Sequence, residues 1–534
     1  MKRIYEIIPG FLCWTTLILP FFLAIFAPNF LIYFIITFIL YWLYKTFLMG
    51  THLILGYIYL RRDLNIDWAE RLFDLKDLDK YIFKLQKQIK SSRTLHKNKL
   101  YEELKEIEDL KNHQKLLLDE KEIYQVVIFP TYKEGTETLR ASISACQKSL
   151  WPKERMIVVL ATEARERERA REKARILSKE FGKVFFEFLV TEHPDNLPGE
   201  LKAKGANLTF AAHKLQKFLV KKKISFENVI VSAFDADSRP HPQYFSCLAY
   251  KYIINPNRLH RTYQPIPLYS NNIFKVSFLT RLTAFSSSFW QLIEATRPYR
   301  MVNFSSQAMS MQMLIEINFW DVKIVSEDSR QFFRGFFAYA GDHQVVPLFT
   351  PVYMDAIQGT SIFDTIKQQY LQKRRWAYGV EHFPYLLKEL PKHQEIPFLN
   401  KLLVFWRQFE GHYSWATSGL LLLIFGWLPF AFSPYFQSSV SSHNLPSLAR
   451  ILLSITWIGL FISTYISIGL LPPKPAGYGF LKTVVIYIEW IFVAITAIIF
   501  GSVPSIDAQT RLMLGKYLGF WVTPKIYQKD IAKT

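Results

Sequence analysis

Two long apolar blocks, residues 5–60 and 402–503, flank a charged middle, and this segregation constrains the chain more than any other feature. Residues 5–27 and 30–48 each hold roughly twenty apolar residues with no Lys, Arg or Asp at their centres, enough for a bilayer crossing. Ala27-Pro28-Asn29 forms an uncharged turn between them. Lys2 and Arg3 precede the pair and Arg61 and Arg62 follow it, which places both flanks in the cytoplasm. No small-residue cleavage site precedes the second apolar run, so the first reads as a retained anchor. The blocks at 412–432, 448–471 and 480–503 read as three further crossings, with Glu489 the clearest ionisable residue inside them. A multi-pass protein of the plasma (inner) membrane is expected, with its water-facing part in the cytoplasm.

A length of 534 residues exceeds one ordinary domain. The formal charge of +20 invites a nucleic-acid partner, but Lys and Arg are scattered over the soluble part and the membrane flanks rather than gathered in one stripe. Such an excess marks cytoplasmic loops and suits membrane lipids, and no nucleic acid is expected. Three cysteines, Cys13, Cys146 and Cys247, lie too far apart for a metal-ligand motif and are expected to be buried free thiols.

Residues 63–121 read as a charged helical hairpin, with Leu78, Ile82 and Leu85 at helical spacing. From 123 the period changes. Tyr124–Phe129, Met156–Leu160, Val184–Val190 and Val229–Phe234 are short apolar runs of the kind that form buried parallel strands. Helical stretches at 136–149, 164–181 and 202–222 separate them, so the fold class is α/β, a doubly wound sheet with its ligand at the C-terminal strand ends. Residues 362–390 form an amphipathic, basic segment expected to lie flat on the membrane.

The polar stations fall at those strand ends. Pro130-Thr131-Tyr132-Lys133-Glu134 follows the first strand, Glu163 the second, and Asp235-Ala236-Asp237 the fourth; Lys204-Gly205-Ala206-Asn207 opens a helix. Hard oxygen ligands at alternating positions suit Mg²⁺ or Mn²⁺ together with a nucleotide, which fits Asp235 and Asp237. Asp328, after Ser326-Glu327, suits a carboxylate that takes a proton from an acceptor hydroxyl. Lys204, Arg374 and Arg375 can balance a diphosphate, and Trp376 offers a flat face for a sugar ring. The histidines, including His241, His343 and His412, form no zinc or nucleophile pattern, and Met309, Met311 and Met313 read as packing.

This ordered set resembles the processive, membrane-embedded inverting family 2 glycosyltransferases, the group of cellulose, hyaluronan and chitin synthases. The resemblance spans about 122–380 plus the flanking apolar helices, and its most specific element is Gln372-x-x-Arg375-Trp376. It implies a GT-A glycosyltransferase domain at 122–361, between N-terminal transmembrane helices at 1–60 with a charged cytoplasmic segment at 61–121, and interfacial helices at 362–411 with C-terminal transmembrane helices at 412–503. Thr131, Tyr132 and Glu134 would line the base and ribose pocket, and Glu163 would stand where the family's first aspartate binds the nucleotide. Lys204 would meet the diphosphate, Asp235 the nucleotide and Asp237 the metal, with Asp328 as catalytic base. Gln372, Arg375 and Trp376 would hold the acceptor end and the diphosphate. In the basic tail at 504–534, Phe520, Val522, Thr523 and Lys525 are similar to the F-x-V-T-x-K gating loop of bacterial cellulose synthases.

Two departures stand out. Glu163 replaces the usual aspartate and adds a methylene. Three C-terminal crossings would also leave the tail outside, whereas Arg511, Lys516, Lys525 and the gating motif favour the inside. The resemblance implies a hexosyltransferase that extends a polysaccharide from a UDP-sugar, coupled to export, with room for an accessory export subunit. The alternatives are single transfer to a lipid-linked acceptor, which Gln372-x-x-Arg375-Trp376 opposes, and a catalytically silent membrane scaffold.

Overall fold

Runs of Val, Ile and Phe become central strands because each places alternate side chains into two different cores. In the first strand Val127 and Phe129 enter one core while Val126 and Ile128 enter the other. In the second, Met156, Val158 and Leu160 face the first core and Ile157, Val159 and Ala161 the second. The computed structural model describes residues 2–92, 94–112, 118–425, 454 and 458–519.

The strands are β1 (Tyr124–Pro130), β2 (Met156–Glu163), β3 (Glu187–His193), β4 (Val229–Ala233), β5 (Arg239–Pro240), β6 (Arg261–Leu268), β7 (Ala308–Ser310) and β8 (Gln344–Tyr353). They form one eight-stranded sheet in the order β3-β2-β1-β4-β7-β6-β8-β5. β1 runs parallel to β2 and β4, and β2 parallel to β3. β7 is antiparallel to both β4 and β6, and β5 is antiparallel to β8. The sheet is therefore mixed, and the doubly wound parallel expectation holds only for its first half. Prolines explain why the other half is hard to read: Pro265 and Pro267 in β6 and Pro347 and Pro351 in β8 interrupt runs that would otherwise signal strands. The third strand also starts later than its apolar run. Phe185 and Phe186 act as packing residues ahead of it, and the Phe186 N–H bonds to Lys153 O and Met156 O.

The chain divides into two compact units. One comprises Tyr59–Pro267 and Met301–Met354 and contains the sheet. Within it, helices Thr136–Gln147 and Glu168–Phe181 cover one face, and Lys204–Lys222 covers the other through Leu208, Ala211, Leu215 and Leu219. The charged hairpin, helices Leu78–Ser91 and Thr94–Asn112, adds Tyr81, Leu85 and Ile107 to the first core. Its anchor is a buried carboxylate: Glu103 pairs with Arg71 and accepts hydrogen bonds from Tyr81 (2.7 Å) and Tyr250 (2.8 Å). Burial works against the charge of Glu103, but Arg71, Lys251 and the two hydroxyls outweigh it and hold the carboxyl below its ordinary range.

The other unit comprises Met1–Ile58, Leu268–Arg300 and Asp355–Thr534. Three helical segments, Arg3–Phe26, Pro28–Leu64 and Phe480–Met513, are long and apolar enough to cross a membrane. Helix Phe398–Phe425 takes in the start of the block expected at 412–432, and Ile458–Gly469 is a shorter apolar helix; the rest of the stretch between them lies almost wholly outside the described residues. Glu489, inside the last apolar segment, is paired with Arg281 at 2.8 Å. All three cysteines are buried free thiols, as expected.

Removing one partner of a buried ion pair strands the other charge, so Glu103→Ala should lower the unfolding free energy by about 3 kcal/mol. Denaturant titration followed by tryptophan fluorescence measures this. The contribution of Glu103 should be fully present above the unfolded glutamate pKa, about 4.3, and fade as the pH falls through the lower folded value. An unchanged midpoint in Glu103→Ala would show that the hairpin is held by its apolar contacts alone.

Candidate active site

Two groups of side chains gather at the C-terminal ends of the parallel strands. The first stands at the ends of β1 and β2. Thr131 is buried, and its N–H bonds to Ala161 O across the strand pair at 2.9 Å. Glu134 folds back to accept from the Tyr132 N–H (2.6 Å) and the Thr131 hydroxyl (3.1 Å). Lys133 takes a φ of 70° at this bend, and its N–H donates to Glu166 at 3.2 Å. Lys173 donates to Thr131 and to Glu166, both at 3.1 Å. Glu163 ends β2, is buried, and accepts from the Arg165 Nε. The Arg165 guanidinium carbon lies 3.7 Å from the Tyr132 ring centre. Burial pushes the Glu163 carboxyl up, against the pull of Arg165.

The second group is centred on Lys204. Its ammonium is buried at the first residue of helix Lys204–Lys222, with Asp235 at 2.8 Å, Asp328 at 3.4 Å and Glu327 at 3.7 Å. Burial alone would lower the lysine pKa, but the three carboxylates reverse the direction and hold the proton firmly. The glycine after Lys204 has a steric cause: a Cβ on Gly205 would lie 2.7 Å from Asp321 O and 3.1 Å from the Glu327 Cβ. Asn207, one turn on, donates to Ala161 O at 2.8 Å and ties this helix to β2.

Asp328 sits in the first turn of helix Glu327–Ala338. Burial raises its pKa first and Asp235 adds to that, while Lys204 and the Gln307 amide, 3.2 Å from Oδ1, act in the opposite sense. The side chain keeps 23% of its surface open, so a hydroxyl can reach it. Asp235 accepts from the Ser305 hydroxyl at 2.7 Å, and its own N–H bonds to Ser238 at 3.1 Å. Asp237 is completely buried.

The donor set fits a divalent cation of the Mg²⁺ or Mn²⁺ kind in a shared site. One ammonium against three carboxylates leaves excess negative charge beside the Asp235–Asp237 turn. No cluster of three or more His, Cys, Asp or Glu that could hold a metal occurs among the described residues. Such ions are commonly held by one or two carboxylates, with water and substrate phosphates completing the shell.

Within the other unit, helix Ile362–Ala377 carries Gln372, Arg375 and Trp376. Gln372 is buried, and Trp376 has Tyr269 at 6.1 Å and the Lys373 ammonium 4.1 Å from its ring centre. Lys373 donates to Ser287 at 2.7 Å, and burial lowers its pKa to about 7. Arg374, expected to face a diphosphate, instead pairs with Asp507 at 2.9 Å, where Tyr370 also donates at 2.8 Å. Phe520, Val522, Thr523 and Lys525 lie outside the described residues.

Sequence reasoning missed Arg165, Ser305 and Gln307. The polar run Asn303–Gln307, immediately before a buried strand, was the available signal. Gln264 of β6 holds this run by accepting from the Phe304 N–H (2.7 Å) and donating to Ser305 O (2.8 Å).

Residues 230–468 match the family model described as glycosyl transferase family group 2, which supports a family 2 glycosyltransferase. The match contains Asp235, Asp237, Asp328, Gln372, Arg375 and Trp376 and begins after the first group of site residues. No curated protein matches the chain. Among solved structures, it is similar to a mannosyltransferase from Pyrobaculum calidifontis in complex with GDP-Man and Mn²⁺, at 11% identity and a TM-score of 0.39, covering 70% of this chain and 86% of that one. It is also similar to residues 1–349 of S. aureus TarS in complex with UDP-GlcNAc, at 12% identity and a TM-score of 0.34, covering 74% and 93%.

Gln307 stabilises the ionised form of Asp328, so Gln307→Ala should move the Asp328 pKa further up. The acid limb of a pH–rate profile for nucleotide release should therefore shift to higher pH, with the plateau reached later. A limb that stays in place would separate Gln307 from the titrating group.

Proposed function

We propose that this chain is an integral-membrane inverting glycosyltransferase that moves a hexosyl group from a nucleoside diphosphate sugar to a growing polysaccharide. The single observation that carries the reading is the meeting of Lys204, Asp235 and Asp328 at the strand ends, within 3.4 Å of the one ammonium. The family match over 230–468 supports the reaction class.

In this proposal Asp328 takes the proton of the acceptor hydroxyl. A carboxyl raised by burial is a better base near neutral pH than an ordinary aspartate, and the Gln307 amide and Lys204 orient its oxygens. Lys204 holds positive charge where the diphosphate departs, and the first-strand group of Thr131, Tyr132 and Glu134 with Glu163 takes the nucleoside. Asp235 and Asp237 would hold Mg²⁺ or Mn²⁺, which supplies charge neutralisation for the leaving diphosphate. Gln372, Arg375 and Trp376 would hold the acceptor end and the diphosphate, a role that rests on the resemblance. The polymer-making assignment, coupled to export, rests on Gln372-x-x-Arg375-Trp376, and the resemblance that includes this motif also implies a uridine nucleotide donor. The three membrane-length helical segments support residence in the membrane, and the basic flanks support a cytoplasmic site in the plasma membrane.

The test is nucleotide release by purified protein in lipid nanodiscs with a panel of donor sugars. Asp328→Asn should reduce release by roughly 10²–10⁴-fold with donor affinity largely kept; activity within a few-fold of wild type would remove Asp328 from the role. Chelation of divalent cations should abolish turnover. Trp376→Ala should leave donor hydrolysis while shortening the product, and polymer of normal length from that variant would count against an acceptor platform.

A further inference from the structure

We infer that the nucleotide carried by the donor has guanine as its base, read by Glu163 and Arg165 side by side against Tyr132. This inference rests on the donor site proposed above and replaces the uridine nucleotide that the resemblance implies.

The location follows from topology. The chain runs outward from β1 to β2 and β3, then crosses back to β4, so the ligand crevice opens at the C-terminal ends of β1 and β4. The Lys204 cluster occupies the β4 side and suits the diphosphate. The nucleoside is left with the β1–β2 side, where Tyr132 carries the Arg165 guanidinium on its ring.

At that end the hydrogen-bonding groups form a row. Arg165 gives its Nε–H to Glu163 Oε2 and lies over the Tyr132 ring, so both planar groups are held in place. No protein donor reaches Glu163 Oε1 and no protein acceptor reaches the Arg165 terminal nitrogens among the described residues. Presented to a base in the proposed pose, the pair offers acceptor, acceptor, donor: the two carboxylate oxygens and then an N–H of the guanidinium. The Watson–Crick edge of guanine presents donor, donor, acceptor, with N2–H, N1–H and O6, and meets the row at all three positions. Uracil presents acceptor, donor, acceptor, which sets its O2 against a carboxylate oxygen. Cytosine and adenine match at two positions at most. The extra methylene of Glu163 relative to aspartate extends the carboxylate beyond the strand end, where Arg165 can lie beside it.

Competition binding of GDP, IDP, UDP, CDP and ADP to the full chain in nanodiscs tests this. GDP should bind at least about tenfold more tightly than UDP, the worth of one hydrogen bond to a charged group plus relief of a repulsion. IDP lacks only the 2-amino group and should lose about tenfold relative to GDP in the unaltered protein, a comparison that needs no variant. Glu163→Gln should shrink the GDP-to-UDP ratio, because an amide N–H can donate to uracil O2, whereas Arg165→Ala should weaken GDP and UDP alike, since O6 and O4 meet the same N–H. UDP binding as tightly as GDP, or IDP binding as tightly as GDP, would overturn the guanine assignment and leave the glycosyltransferase reading standing. Failure of every nucleoside diphosphate to bind would overturn both.

Discussion

The buried ammonium of Lys204 is the interaction on which the rest of the site depends. A buried charge is costly unless paired, and here it meets Asp235 from one segment of chain and Glu327 and Asp328 from another. That pairing draws together the start of helix Lys204–Lys222, the turn after β4 and the start of helix Glu327–Ala338. Gly205 makes the approach sterically feasible, since a side chain there would strike Asp321 O and the Glu327 Cβ. The excess of carboxylate over ammonium is what makes the cluster receptive to cations. Burial is the largest reason that the Asp328 carboxyl sits above the ordinary aspartate range, and Asp235 adds to it against the pull of Lys204.

The mixed sheet supplies the other half of the arrangement. Its parallel strands end in the acidic turns, whereas the antiparallel strands β6 and β7 bring in the run Asn303–Gln307. Two buried amides and a hydroxyl do the positioning: Gln264 clamps the run, Gln307 faces Asp328, and Ser305 faces Asp235. The Gln307 amide nitrogen, the Ser305 hydroxyl and both ends of the Gln264 amide each have a specific partner, which favours one geometry over slightly shifted alternatives. Helix Ile362–Ala377, in the other unit, works differently. Arg374 is committed to Asp507 and Lys373 to Ser287 and Trp376, so two of the basic residues around the motif anchor the helix within its own unit.

Much of this is local and therefore legible in the chain. Apolar runs of membrane length, β1, β2 and β4, the Lys204 helix and the acidic residues at the strand ends all follow from composition and period over a few residues. Tertiary structure alone decided the antiparallel half of the sheet, because Pro265, Pro267, Pro347 and Pro351 mask its period. It decided that Asp237 is wholly buried while Asp328 keeps an open edge. It also decided the partners: Lys204 meets Asp328 from 124 positions away, and Arg374 meets Asp507 from 133. Periodicity encodes which face of an element is buried, whereas the pairing of charges across such distances depends on where the folded backbone brings them.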